Sequence, residues 1–282
     1  FQSCSALSEV SLPNGVSSVN KNTFASCSSL GLVSLPQSLE HIGVAAFSYC
    51  DKLTTIELPK GIKDIENNAF GACSKLSTIT IPSSVTNVGG YAFARCTALR
   101  SMIIPSSVLS IGEAAFGWCS SLTNMVLPFV GARRGNGYEN LIEEEAKFGY
   151  IFEKRYVNYV QKGYEVPHSL KSVKITDETL ITAAAFEDCS AINVLSLPAS
   201  LNCIGSGAFG GCTGLREVHI LDLGKWCSIT FSSNPLSVAH KLYLNDELVS
   251  DMLIPDGVTS IAGSAFSGCS SLTSITIPNS VT

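Results

Sequence analysis

The sequence predicts a repeat solenoid, a stack of short coils with one parallel ladder of strands, from three observations. Six cysteines, from Cys4 to Cys119, follow one another at intervals of 23 residues, and Cys189 and Cys212 repeat that interval. Nine of the eleven prolines occupy a single position of the same unit, and phenylalanine recurs at another from Phe24 onward. A period this strict is typical of repeat proteins, in which each unit packs only against its neighbours.

The first half of each unit predicts one short strand and its end. The unit has the form C-x-x-L-x-x-I-x-I-P-x-x-V-x-x-I-G-x-x-A-F-x-x, and its second copy reads CSSLGLVSLPQSLEHIGVAAFSY. Val33 and Leu35 alternate with outward-facing residues, as in a half-buried strand. Pro36 ends that strand, because proline has no N–H to give to a ladder. Leu39 and Ile42 then point back into the core, along a return path that is either extended or a second short strand.

The second half of the unit predicts the opposite side of the solenoid. After Gly43, the residues Ala-Ala-Phe-Ser-Tyr indicate a helical turn or two. One phenylalanine per coil, stacked on that of the next coil, would form a hydrophobic spine. A single unit has nothing against which to bury this face, whereas stacked units pair their strands at about 4.8 Å and bury it continuously. We therefore expect residues 1–282 to form a single elongated arc.

Composition excludes several classes of function. A net charge of -5 argues against nucleic-acid binding, because few cations are available to neutralise phosphates. No apolar run reaches the roughly 18 residues of a membrane span. The cysteines predict free, buried thiols in a packing column, since equivalent side chains run parallel and no C-x-x-C pair suggests a metal. No histidine has metal-ligand or catalytic spacing, so neither a metal, a cofactor nor an enzymatic activity is expected.

These motifs resemble the leucine-rich repeats, and more narrowly the BspA-like family. The resemblance implies non-catalytic proteins, secreted or displayed on the cell surface of bacteria and some protists, that adhere to host or matrix partners. Both ends of the sequence fall within a repeat, which indicates a window from a longer protein with any signal or anchor outside it. One feature departs from ordinary leucine-rich repeats, because their recurrent asparagine is replaced by serine or glycine at Gly15, Ser38, Gly61, Ser84, Ser107, Ser200, Gly257 and Ser280.

Two irregular segments interrupt the repeats, at 129–169 and at 221–245. The first holds five of the eight tyrosines and many charges. Because insertions in repeat proteins often form the binding face, it predicts a partner-binding protrusion. The alternative is that its aromatic residues pack against the solenoid, which is the favoured interpretation for Phe148, Tyr150 and Phe152. The residues predicted to contact a ligand in the two segments are Tyr138, Tyr156, Tyr159, Tyr164 and Trp226.

The outward positions of the strands form a small, polar and nearly uncharged surface. Ile103 and Val126 are adjacent exceptions that predict a modest apolar patch, and His219 also projects from this face. The function predicted is a surface or secreted binding and adhesion module with a host or matrix protein, or a glycan, as its partner. The alternative is a passive structural spacer that displays another domain. The small, polar and nearly uncharged strand surface favours this alternative.

Overall fold

The structure, a computed structural model, describes residues 1–134 and 143–282 and divides the chain into two compact units, Phe1–Leu170 and Lys171–Thr282. Both units are β-solenoids with parallel strand ladders and little helix, and together they contain about 11 turns. The predicted repeat solenoid is confirmed. That residues 1–282 form a single domain stays a prediction.

The front ladder of the first unit contains one strand per coil at the predicted position. Neighbouring strands are parallel, and residues 23 apart lie side by side, as Val10 does with Val33 and Met102 with Met125. Identical side chains therefore repeat along the ladder. Its strands are β1 (Glu9–Ser11), β3 (Leu32–Ser34), β5 (Thr55–Ile56), β7 (Thr78–Ile79), β9 (Ser101–Ile103) and β11 (Asn124–Leu127).

The return path was predicted to be either extended or a second short strand. It is a second ladder of very short strands. Val19 lies opposite Ile42 and Ile65 opposite Val88, again in parallel. These side chains face the core, since all four are buried. The strands are β2 (Ser18–Val19), β4 (His41–Ile42), β6 (Asp64–Ile65), β8 (Asn87–Val88) and β10 (Ser110–Ile111).

The segment after the recurrent glycine forms hydrogen-bonded turns, so the expected helical turn is wrong. The N–H of Phe47 donates to the carbonyl of Ala69 in the next coil at 2.8 Å, and Ala45 and Tyr49 make equivalent bonds. A helix would direct those N–H groups back along its own chain. Ala45 and Tyr49 instead take left-handed conformations, with φ of 52° and 59°, which turn the backbone between its bonds to the neighbouring coil.

The recurrent phenylalanines form the predicted spine. In the first unit, ring centroids lie 5.4–5.6 Å apart from each coil to the next, and neighbouring rings are nearly parallel. In the second unit, Phe186 and Phe209 are stacked at 5.7 Å. From Phe24 to Phe116 every ring of the column is buried. Stacked aromatic pairs contribute about 0.5–1.5 kcal/mol each beyond the burial of their area.

The cysteine column lines the core beside the spine. The eleven cysteines are free, and seven of those in register are buried. The thiol of Cys50 donates to the carbonyl of Phe24 at 3.3 Å, and Cys73 donates to Phe47 at 3.1 Å. Cys212 makes the same bond in the second unit, to Phe186 at 3.0 Å. The column therefore packs the core, and these thiols add a second hydrogen bond to carbonyls that already accept a backbone N–H.

Serine takes the place of the asparagine found in ordinary leucine-rich repeats. Ser38 donates to the carbonyl of Val16 in the preceding coil at 2.8 Å. The same bond is made by Ser84, Ser107, Ser200 and Ser280. A hydroxyl ladder thus links successive coils where the amide ladder is missing.

The first unit ends in the 129–169 insertion, which contains a hairpin of antiparallel strands among otherwise parallel ones. Strand β12 (Glu153–Val157) pairs with β13 (Val160–Glu165) through a two-residue loop. Before it lie two 3₁₀ helices, Glu143–Ala146 and Phe148–Ile151. We call residues 153–165 the hairpin.

The second unit keeps both ladders and adds two short helices within 221–245. The helices, which the sequence did not predict, are α1 (Leu223–Ser228) and α2 (Leu236–Ala239). Asp222 caps α1, since its side chain accepts a bond from the N–H of Lys225 at 2.9 Å. The front strands are β14 (Ser172–Ile175), β16 (Val194–Ser196), β18 (Glu217–Ile220), β20 (Leu242–Leu244), the antiparallel β21 (Glu247–Leu248), and the pair β22 (Asp251–Leu253) and β23 (Ser274–Thr276). The back strands are β15 (Leu180–Ile181), β17 (Cys203–Ile204) and β19 (Thr230–Phe231).

Candidate binding surface

The insertion 129–169 first replaces part of a regular coil. The N–H of Phe116 donates to the carbonyl of Ile151 at 2.9 Å, which substitutes for the bond that other spine phenylalanines make to the next coil. Phe148 and Phe152 are fully buried and meet edge-on at 5.3 Å. The packing interpretation is therefore confirmed for these two rings, while Tyr150 is only half-buried.

The hairpin, in contrast, presents aromatic side chains to solvent. Tyr159 lies in its loop and is 102% exposed, and Tyr156 is 58% exposed. Asn158 and Tyr159 both have positive φ, 50° and 62°, which matches the twist of a tight two-residue hairpin loop. Tyrosine supplies a large, rigid contact area and loses little conformational entropy on binding.

The base of the hairpin is attached to the solenoid by polar and packing contacts. The ammonium of Lys154 lies 2.8 Å from Oε1 of Glu113, and this hydrogen bond raises the pKa of Lys154. Tyr164 packs against Gly149 and donates its hydroxyl to the carbonyl of Glu144 at 3.2 Å. Burial raises the pKa of Tyr164 to about 12. Tyr164 therefore positions the hairpin, and its hydroxyl faces the protein rather than the solvent.

Tyr138 and Trp226 were also predicted to contact a ligand. Tyr138 falls in 135–142, outside the described residues. Trp226 was expected to touch a ligand, and that expectation is wrong, because it lies in α1 at 1% exposure. Its indole N–H donates to the carbonyl of Ala265 at 2.9 Å, and its ring meets Phe231 edge-on. An amphipathic helix turns this tryptophan into the core, which the irregular spacing of the segment did not reveal.

The apolar pair on the front ladder is adjacent, as predicted. Val126 lies directly opposite Ile103 in the register of β9 and β11. Ile103 is 65% exposed, whereas Val126 is half-buried. The two side chains thus offer a small apolar area on a front face that also exposes Leu32 but is otherwise mostly polar, as at Thr55 and Thr78.

His219 occupies a more structured environment than the sequence indicated. Its ring is stacked on Tyr243 at 4.5 Å. Its Nδ1 lies 2.8 Å from a carboxylate oxygen of Asp246, and its Nε2 lies 3.3 Å from one of Glu217. His219 and Asp246 line a cavity of about 470 Å³, together with Lys174. Glu217 stands two residues before His219 on the same strand face, a signal that sequence analysis missed.

A cavity at the base of the hairpin brings together an aromatic ring, two carboxylates and an imidazole. It has a volume of about 400 Å³, and its walls include Trp118, Glu153, Glu165 and His168. Trp118 is 40% exposed, with the guanidinium of Arg95 4.8 Å from the centre of its ring. We call this space the base cavity.

Trp118 and the two glutamates of the base cavity were not among the contact residues predicted from the sequence. Trp118 stands directly before the recurrent cysteine, where other coils have tyrosine, alanine and arginine. A position that varies between coils, next to the constant cysteine column, indicates an exposed side chain. The sequence therefore contained a signal for the exposure of Trp118. Glu153 and Glu165 lie 12 residues apart, and only the hairpin register brings them together.

The described residues contain neither a metal-binding group nor a membrane helix. No set of three or more His, Cys, Asp or Glu side chains in them is placed to hold a metal ion. None of the helices within residues 1–134 and 143–282 has the length and apolar character needed to cross a bilayer.

The chain is similar to solved structures of several known proteins. A leucine-rich repeat protein from Bacteroides ovatus is 25% identical over 97% of this chain, with a TM-score of 0.52, and this chain spans 56% of that protein. A leucine rich repeat protein of T. pallidum is 28% identical over 74% of this chain and 78% of its own, with a TM-score of 0.44. A leucine rich cell surface protein from Faecalibacterium prausnitzii is 24% identical, covering 98% and 74%, with a TM-score of 0.43.

No curated protein matches this chain. A family model, the BspA type leucine rich repeat region, matches it in six copies over residues 1–126 and 236–282. Those two ranges comprise well over half of the 282 residues and contain most members of the cysteine, proline and phenylalanine columns described above. The chain therefore belongs to the BspA-type leucine-rich-repeat family.

Proposed function

We propose that this chain is a non-catalytic binding module of a secreted or surface-displayed protein, and that it holds a host or matrix protein through the hairpin. The observation that carries the proposal is the exposure of Tyr156 and Tyr159 on a hairpin with an anchored base. Binding energy concentrates in a few aromatic residues, and rigid support reduces the entropy lost on association. Membership of the BspA-type family supports a role in binding, since repeat solenoids serve as scaffolds for recognition.

The test is binding of the purified chain to immobilised extracellular-matrix proteins, with a glycan array in parallel. We expect a protein partner, and we expect the Tyr156→Ala/Tyr159→Ala variant to bind it at least about 30-fold more weakly, which corresponds to the loss of roughly 2 kcal/mol at a hot spot. Tyr49→Ala is the matched control, because Tyr49 is 55% exposed and belongs to the second repeat rather than to the hairpin. Unchanged affinity in the double variant would contradict the role of the hairpin.

The second candidate is a passive spacer that displays another domain, and the front ladder of the first unit favours it. Glu9, Thr55, Thr78, Ser101 and Asn124 are exposed there without an aromatic or arginine anchor. Under this alternative, neither the protein panel nor the glycan array gives saturable binding, and the double tyrosine variant behaves as the parent does.

A further inference from the structure

The base cavity combines an aromatic wall with two carboxylates. Trp118 supplies the aromatic wall, and Glu153 and Glu165 line the same space. Glu153 reaches back to the solenoid, since a Cβ atom built on Gly117 would lie 3.6 Å from its Oε2. A carboxylate oxygen is therefore held beside the coil that carries the indole.

The two carboxylates belong to neighbouring residues of the hairpin, and neither has an ion-pair partner among the described residues. Glu153 and Glu165 are directly opposite in the register of β12 and β13, and like charges in that position destabilise a strand pair. Burial, and then the charge of Glu165, raise the pKa of Glu153, and the charge of Arg95 only partly opposes them. Lys154, the next residue, is engaged by Glu113. Arg95 lines the neighbouring groove, where it lies over Trp118.

These features fit a planar organic cation better than any other ligand class. The face of an indole attracts a cation through the quadrupole of the ring, and a guanidinium also stacks on it. Carboxylates accept the N–H groups of a guanidinium in charge-assisted hydrogen bonds. An anion would be repelled by both glutamates. A ligand cation would also offset the repulsion between Glu153 and Glu165.

We propose that the base cavity binds the guanidinium of an arginine side chain on the protein partner. This inference rests on the proposed function, because it supplies a charged contact directly below the exposed tyrosines of the hairpin. The partner would then present an arginine next to the surface that meets Tyr156 and Tyr159. The cavity volume of about 400 Å³ leaves room for the side chain and for bridging water.

The test uses a probe that needs no knowledge of the partner. The intact, nitrogen-labelled chain is titrated with N-acetyl-arginine methylamide, and the two indole N–H signals are followed by NMR. We expect the Trp118 signal to shift saturably and that of the buried Trp226 to stay in place. N-acetyl-citrulline methylamide has nearly the same shape and no charge, so it is expected to cause no saturable shift. Equal shifts with both probes would overturn the inference.

A matched pair of variants tests the role of the carboxylates. Glu153→Gln/Glu165→Gln keeps the shape of both side chains and removes their charge, so we expect at least about tenfold weaker arginine binding. Glu9→Gln removes one exposed carboxylate on the front ladder and is expected to leave binding unchanged. Retained affinity in the double glutamine variant, with its hairpin amide signals preserved, would contradict the proposal.

Failure of this inference and failure of the proposed function are distinguishable. If the arginine probe binds and no matrix protein does, the cavity assignment stands and the proposed function falls. If a matrix protein binds through the hairpin tyrosines and the double glutamine variant binds it equally well, the cavity assignment falls and the function stands.

Discussion

At the scale of single residues, the cysteine column shows how one side chain serves two purposes. Each buried thiol fills a small apolar space, and several also donate to a phenylalanine carbonyl in the preceding coil, as Cys50 does to Phe24. That carbonyl belongs to the hydrogen-bonded turns after the recurrent glycine, which we call the turn face. It also accepts the backbone N–H of Cys27 at 3.2 Å, so the thiol gives it a second hydrogen bond. Burial raises the pKa of the Cys50 thiol from its ordinary 9.0 to about 12.

The raised pKa of Cys50 predicts a loss of stability in alkali. The folded state holds the thiol proton more tightly than the unfolded chain, so the stabilisation is complete below about pH 9 and is lost as the pH rises towards 12. We expect the free energy of unfolding of the parent, relative to Cys50→Ala, to fall by about 1.4 kcal/mol per pH unit above about pH 9. Urea denaturation in reducing buffer measures this difference. Cys4→Ala is the control, because Cys4 is exposed, and a difference independent of pH would contradict the prediction.

At the scale of elements, backbone conformation decides what each segment becomes. The turn face uses left-handed residues in every regular coil, among them Ala45 and Tyr49, although such conformations cost non-glycine residues roughly 1–2 kcal/mol each. Hydrogen bonds to the next coil, such as that from Phe47 to Ala69, offset this cost only when the coils are stacked. The hairpin loop uses the same conformation at Asn158 and Tyr159 for a different purpose, to reverse the chain within two residues.

The loop of the hairpin gives a prediction about its local stability. Tyr159 has a φ of 62° and a fully exposed side chain, so Tyr159→Gly is expected to stabilise the hairpin or leave it unchanged. Tyr159→Val should destabilise it by about 1–2 kcal/mol, because a β-branched side chain disfavours positive φ. Amide hydrogen exchange of residues 153–165 measures both effects. Equal protection in the two variants would contradict the assigned loop geometry.

At the scale of the whole molecule, stability follows from contacts between neighbouring coils. In the first unit, the ring of Phe70 stacks on its two neighbours in the spine, Phe47 and Phe93, at 5.5 Å each. Repeat solenoids therefore behave as chains of nearest-neighbour interactions, in which a local defect lowers the stability of adjacent repeats most. The phenylalanine, cysteine and serine columns all connect one coil to the next in this way.

A defect in the middle of the first unit tests this locality. We expect Phe70→Ala to destabilise its coil by about 3–5 kcal/mol, as is usual for a buried phenylalanine. Hydrogen exchange followed by mass spectrometry should show the greatest loss of amide protection in the coils that flank residue 70 and little loss in Lys171–Thr282. Leu32→Ala, at an exposed position of the front ladder, serves as the control. Uniform loss of protection along the chain would contradict nearest-neighbour coupling.

The sequence by itself determined the repeat, its register and its core. Columns 23 residues apart require side-by-side coils, because only stacking buries one phenylalanine and one cysteine per unit. The sequence did not determine the form of the turn face. The residues Ala-Ala-Phe-Ser-Tyr have a helical propensity, and hydrogen bonds to the next coil override that preference.

Only the tertiary structure decided which residues outside the regular repeat are exposed to solvent and which contact each other. Trp226 and Tyr159 both stand in interrupted repeats, yet one is buried by a helix and the other is exposed in a two-residue loop. Trp118, Glu153 and Glu165 come from separate segments and converge through strand pairing and packing. Periodicity carries no information about such contacts, because each irregular residue occurs once and its neighbours are set by the folded chain.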